Sequence, residues 1–149
     1  TPDSLQYVIK DMFETITLYK NRITNTKVTE LENGTYQVDI EFEVAKYRND
    51  EKGKRYYGEK VGDTLSYKTA KMKKPILSVP LADYIDIGIF AEEDVEGIMK
   101  EKLLYLKKHK VTSINNKLTI IVNEKPIEVG VDPYNKLIDS QSDDNRKKI

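Results

Sequence analysis

The chain has 149 residues, 38% of them hydrophobic, no cysteine, and 25 basic side chains against 25 acidic ones, a formal net charge of zero. That length suits one domain with a real core. The charge balance excludes the basic excess of a general nucleic-acid binder, the missing cysteine excludes disulfides and thiolate metal sites, and no apolar run approaches the roughly 20 residues that cross a bilayer.

The chain opens on Thr1-Pro2 rather than methionine, which fits a segment of a longer polypeptide and equally a processed or trimmed start. Leu5, Val8, Ile9, Met12, Phe13 and Ile16 then recur at the 3.6-residue period of one helical stripe. Thr1 can cap, Pro2 suits the first helical position and Asp3 complements the dipole. The spacing predicts an amphipathic helix over 1–19. Its stripe, with Leu5, Val8, Met12 and Phe13, is too wide and apolar to face water, and is a candidate protein contact.

Strands are expected from there on. A weak, threonine-rich strand covers 23–31, and Asn33-Gly34 turns it into Tyr36, Val38, Ile40, Phe42 and Val44, which alternate with polar residues. Past Val44 the apolar phase slips to Ala45 and Tyr47, as at a bulge or a strand end. Residues 48–63 are polar, with Gly53, Gly58 and Gly62, and read as a long mobile loop carrying Tyr56-Tyr57 as candidate exposed aromatic contacts. Further strands are expected at 65–72, at 83–90 with Ile85, Ile87 and Ile89 on one face, at 100–112, at 118–122 and at 127–131, with an acidic turn over 92–97. Seven short strands separated by turn signals predict a mainly β fold, an antiparallel immunoglobulin-like β-sandwich of about seven strands behind one N-terminal helix. The expected division is helix 1–19, sandwich 20–139 and a flexible polar tail 140–149.

Catalytic chemistry has few places to stand. A zincin needs two histidines one helical turn apart, and this chain has one, His109, within Lys107-Lys108-His109-Lys110. The neighbouring lysines disfavour protonation of its imidazole, and a solvated histidine at a strand end outweighs a general base. No G-x-S-x-G elbow and no P-loop occurs. Asp132, Asp139, Asp143 and Asp144, with Asn135 and Asn145, contain the oxygen donors calcium wants, but not the spacing of a calcium loop. The reading preferred is a turn at Asp132-Pro133-Tyr134-Asn135, with Leu137 and Ile138 docking the last segment onto the sandwich. Ten tyrosines without a tryptophan read more readily as strand residues than as a carbohydrate platform. Lys100, Lys102, Lys107, Lys108 and Lys110, with Lys71, Lys73 and Lys74, could touch anionic lipid headgroups, and read more simply as a solvated face.

Three phrases remain: Asp83 to Phe90 (D-Y-I-D-I-G-I-F), Asn123 to Val129 (N-E-K-P-I-E-V), and Gly130 to Asn145 (G-V-D-P-Y-N-K-L-I-D-S-Q-S-D-D-N). With the opening T-P-D-S-L-Q-Y, they resemble the C-terminus of a bacterial membrane protein type in which an ABC-transporter-like permease is fused to a gluzincin, alanyl-aminopeptidase-like zinc aminopeptidase. The resemblance implies a non-catalytic accessory domain, soluble and extracytoplasmic, held at the membrane through its parent. Its partner would be the peptidase domain upstream in the same chain. The implied zinc belongs to that domain, so no cofactor is expected here. The glycine-rich exopeptidase motif of that family is absent from this chain. The rival expectation is a free-standing glycan- or peptide-binding sandwich, which a flat aromatic platform would favour.

Overall fold

A computed structural model describes residues 2–3, 6–9, 16–49, 55–61, 64–69, 77–78 and 81–149, with backbone alone at 7–8, 48–49, 55–61, 64–69 and 77–78. After a single helical turn, α1 (Gln6–Ile9), come β1 (Ile16–Glu30), β2 (Tyr36–Asn49), β3 (Arg55–Val61), β4 (Thr64–Thr69) and β5 (Leu77–Ser78). The chain continues as β6 (Asp83–Val95), β7 (Ile98–Val111), β8 (Asn115–Val122), β9 (Glu128–Val131) and β10 (Arg146–Lys148). The first sheet runs β1-β2-β3-β4-β5, with β8 also on β2, and the second runs β10-β9-β6-β7. Every pairing between these strands is antiparallel. The fold is the expected mainly β, two-sheet sandwich, with β3, β5 and β10 as strands beyond the seven read from the sequence.

β2 organises the first sheet because its alternation is satisfied on both edges. Val38 stands opposite Val28 and Ile120, Ile40 opposite Thr26 and Leu118, and Phe42 opposite Ile23 and Asn116. Those inward side chains meet Ile85, Ile87, Ile89, Val129 and Val131 of the second sheet in one buried cluster. β2 neither bulges nor ends at Val44. β2 runs on to Asn49, and the irregularity lies in β1, between Ile23 and Asn25. Lys46 keeps the inward phase of Val44 and is buried, its Nζ 3.0 Å from Asp83 Oδ1, which also accepts the Tyr19 hydroxyl at 3.1 Å.

β6 is buried on both faces from Ile85 to Ala91. Its isoleucines face the core; Asp86, Gly88 and Phe90 face outward and are covered by the C-terminal segment. Gly88 pairs with Gly130 across β6 and β9, and Pro133 lies over the pair. A Cβ added at Gly130 would stand 2.8 Å from Pro133 Cβ and 3.2 Å from Arg146 Cγ. The glycines are therefore required by close approach. Gly130→Ala is expected to destabilise the domain by about 1–3 kcal/mol through overpacking. Amide exchange over 132–146 should accelerate with it, whereas unchanged stability would show that Pro133 can shift without loss.

Four expectations are corrected. Of the helix predicted over 1–19, residues 16–19 are strand, with Tyr19 paired to Lys46, residues 6–9 form one helical turn, and 1, 4–5 and 10–15 lie outside the described residues; from Ile16 on, pairing with β2 overrides a local helical period. The loop predicted over 48–63 contains the end of β2 and the whole of β3, whose Tyr56 and Tyr57 pair with both β2 and β4. The acidic turn is narrower than 92–97: β6 continues to Val95, and Glu96 and Gly97, with φ of 57° and 80°, make a two-residue hairpin turn. The tail expected to fray is ordered. A 3-10 turn at Ser142–Asp144 leads to β10, which pairs with β9, and Ile149 N donates to Ile127 O at 2.8 Å.

Candidate functional site

The stretch after β9 is a strap across the outer face of the second sheet, and its polar residues serve the backbone. Asp132 N donates to Asp86 O at 2.7 Å, while the Asp132 carboxylate accepts from Lys136 N at 3.0 Å and Leu137 N at 2.8 Å. Asn135 N closes the turn on Asp132 O at 2.9 Å. Lys136 Nζ reaches Asp86 Oδ2 at 2.7 Å, and Leu137 packs against the core. Ile138 docks through its backbone, accepting from Tyr19 N at 2.8 Å, and leaves its side chain exposed. Asp139 accepts from Asn21 N at 2.7 Å and Gln141 N at 2.8 Å. The buried Asn145 amide, oriented with its nitrogen toward the two acceptors beside it, donates to Asp139 Oδ2 at 3.1 Å and Asn21 O at 2.6 Å. Arg146 covers the Phe90 ring at 4.2 Å from its centroid and bonds Glu101 and Glu128.

These acids do not converge. Asp132 closes its own turn, Asp139 ties the strap to β1, Asp143 is exposed, and among the described residues no group of three or more acid or histidine side chains is placed to hold a metal ion. Burial pushes the Asp144 carboxyl up, with a smaller contribution from Asp139. Calcium therefore gains no support from the fold, and the turn reading describes what these residues do.

His109 is half-buried on β7 rather than solvated. Its Nε2 lies 2.7 Å from Tyr105 Oη and the two rings stack at 6.0 Å. Burial first, and Lys107 second, lower its proton affinity, and burial raises the Tyr105 phenol above its ordinary range. Both shifts favour the neutral forms of the pair. A lone histidine whose Nε2 is already engaged also does not fit the two-histidine set of a gluzincin zinc.

The remaining features lie on the β6–β7 hairpin. Beyond Phe90, where β9 stops pairing with β6, its arms pair with each other as Glu93–Lys100, Asp94–Met99 and Val95–Ile98. Ile98 is 62% exposed, Met99 59% and Leu103 48%. Two adjacent apolar residues straight after Glu96-Gly97 break the alternation of a solvated strand, a signal the sequence contained and the reading of an acidic turn passed over. Lys102 is held by Glu124 at 2.7 Å, but Lys100, Lys107, Lys108 and Lys110 have no acidic partner among the described residues.

Of the residues proposed as contacts, Leu5, Met12 and Phe13 lie outside the described residues, as do Lys71, Lys73 and Lys74. Val8 falls in α1, and Tyr56 and Tyr57 in β3, with their side chains outside the description. The tyrosines exposed among the described residues are Tyr84 and Tyr134. Tyr134 packs edge-on to Phe90 at 6.1 Å, while Tyr84 is six positions away along β6, roughly 20 Å at the rise of a strand. They do not form a shared platform. No described helix is long and apolar enough to cross a membrane. No family model, curated protein or solved structure matches the chain.

Proposed function

We propose that this domain acts by contact rather than by chemistry, as the non-catalytic accessory domain closing a membrane-fused zinc aminopeptidase of the permease-linked kind. The observation that supports a contact role is the hairpin end, where Ile98 and Met99 are exposed beyond the last pairing of β6 with β9 and Leu103 is exposed opposite Phe90 at that last pairing. Exposed apolar side chains on both faces of such a hairpin end are a candidate surface for a partner. The parent is proposed from the resemblance alone. The phrases that carry it occupy β6, β9 and the strap, three elements that pack on one another, so they speak to a shared fold rather than a shared active site.

The reading makes two linked predictions. The gene encoding this chain is expected to contain H-E-x-x-H upstream in the same reading frame, because a gluzincin zinc needs that pair of histidines. The purified domain is expected to show no turnover of a chromogenic alanyl substrate and to bind no stoichiometric zinc. A reading frame with no such motif would remove the peptidase parent. Zinc-dependent turnover by the domain alone would remove the non-catalytic role.

A further inference from the structure

β7 is the last strand of its sheet: one edge bonds β6, and the other pairs with no strand among the described residues. It is 14 residues long, whereas edge strands are usually kept short because their free N–H and C=O groups template another strand. The side chains beside that edge are strongly one-signed. Lys107, Lys108 and Lys110 are exposed and without acidic partners among the described residues, in a chain whose total charge is zero. The register places Lys107 on the face of Ile87, and Lys108 and Lys110 on the opposite face with Asp86 and Tyr84, so lysines would flank an added strand on both sides. Asp86 does not neutralise Lys108, since its Oδ2 is held by Lys136 at 2.7 Å.

Charge decides the occupant. A second copy pairing antiparallel over 107–110 would set its lysines against these, which opposes self-association there. The same lysines favour a strand carrying carboxylates, with main-chain hydrogen bonds providing affinity and charge providing selection. We propose that the free edge of β7, beside Lys107, Lys108 and Lys110, takes an acidic extended peptide of a partner protein by strand addition. This holds whether or not the chain belongs to a peptidase.

The test is fluorescence anisotropy with a labelled peptide of about ten residues alternating glutamate and valine, long enough to span this part of the edge. Saturable binding that weakens with salt is expected. Combining Lys107→Glu, Lys108→Glu and Lys110→Glu should weaken it roughly tenfold or more, with an unchanged melting temperature because all three side chains are exposed. On the unaltered protein, the same peptide N-methylated at alternate residues along its bonding edge should lose binding too, which keeps the test intact if the triple variant does not fold. Absence of saturable binding, equal binding of the N-methylated peptide, or equally tight co-sedimentation with phosphatidylserine vesicles would overturn the proposal. The last two would reduce the edge to a generic basic surface.

Discussion

Phe42→Ala is expected to destabilise the domain by about 3–5 kcal/mol, the usual loss when a large aromatic side chain is removed from a packed core. Phe42 is 3% exposed and sits between Ile23 of β1 and Asn116 of β8, facing the isoleucines of β6. A domain of ordinary stability has about 5–15 kcal/mol in total, so the loss should lower the melting temperature by on the order of 10 °C. Glu41→Ala, one position away, is the internal control. Its carboxylate accepts from Lys117 Nζ at 2.6 Å, but that lysine side chain is 80% exposed and the pair is screened by solvent, so its loss should barely move the melt. Urea melts with unchanged slope would separate the two variants. Equal penalties would mean that β2 is out of register by one residue, because such a slip exchanges its faces.

That experiment probes what was most legible in the chain. Strict alternation in β2, and Ile85, Ile87 and Ile89 in β6, mark a half-buried sheet wherever they occur. The opposite face of β6 was not legible. Asp86, Gly88 and Phe90 read as an ordinary mixed face, yet they are buried, because Pro133, Lys136 and Arg146 arrive from the far end of the chain to cover them. No local period reports a cover supplied from more than forty residues away. The same reason hid the tail: Asn145 and Arg146 look like solvent-facing polar residues, and only the positions of β1, β9 and Phe90 give them partners. At the start of β1 the difficulty was the reverse. Residues up to Ile16 satisfy a helical period, and the strand that takes over there depends on pairing with β2. For the candidate interface, the lysines of β7 were visible as a basic run, but their place on a free edge is a matter of strand order, which composition does not contain. The exposed pair Ile98-Met99 was equally visible, and was missed because the acidic residues before it were read as one long turn.

The strap makes the second large prediction. Asp132→Ala is expected to cost about 3 kcal/mol, combining loss of the charged acceptor for two backbone N–H groups with placement of alanine in left-handed backbone. The Asp132 φ of 46° is tolerated because its carboxylate bonds Lys136 N and Leu137 N, holding the turn that delivers Leu137 to the core. Asp132→Asn keeps one acceptor oxygen and a side chain suited to that backbone, so about 1 kcal/mol is expected at pH 7. The two asparagine and aspartate forms should then diverge with pH. Burial pushes the Asp132 carboxyl above its ordinary value, against the opposing pull of its two backbone donors. A raised folded-state pKa means that the native state holds the proton more tightly than the unfolded chain. The stability it contributes is fully present below the unfolded carboxyl value of roughly 3.9 and is lost as pH rises through the folded one. Wild type gains this contribution on acidification and Asp132→Asn does not, so the asparagine penalty should grow between neutral pH and about pH 4. Asp39 and Glu43, whose carboxyls are held low by hydrogen bonds from Thr119 and Arg22, lose stability over the acid range in both proteins and cancel in the difference. Paired urea melts at several pH values read that difference directly. A penalty that stays flat would show Asp132 ionising at its ordinary pKa, and one that shrinks with acid would show its two backbone donors outweighing burial and holding the carboxylate charged.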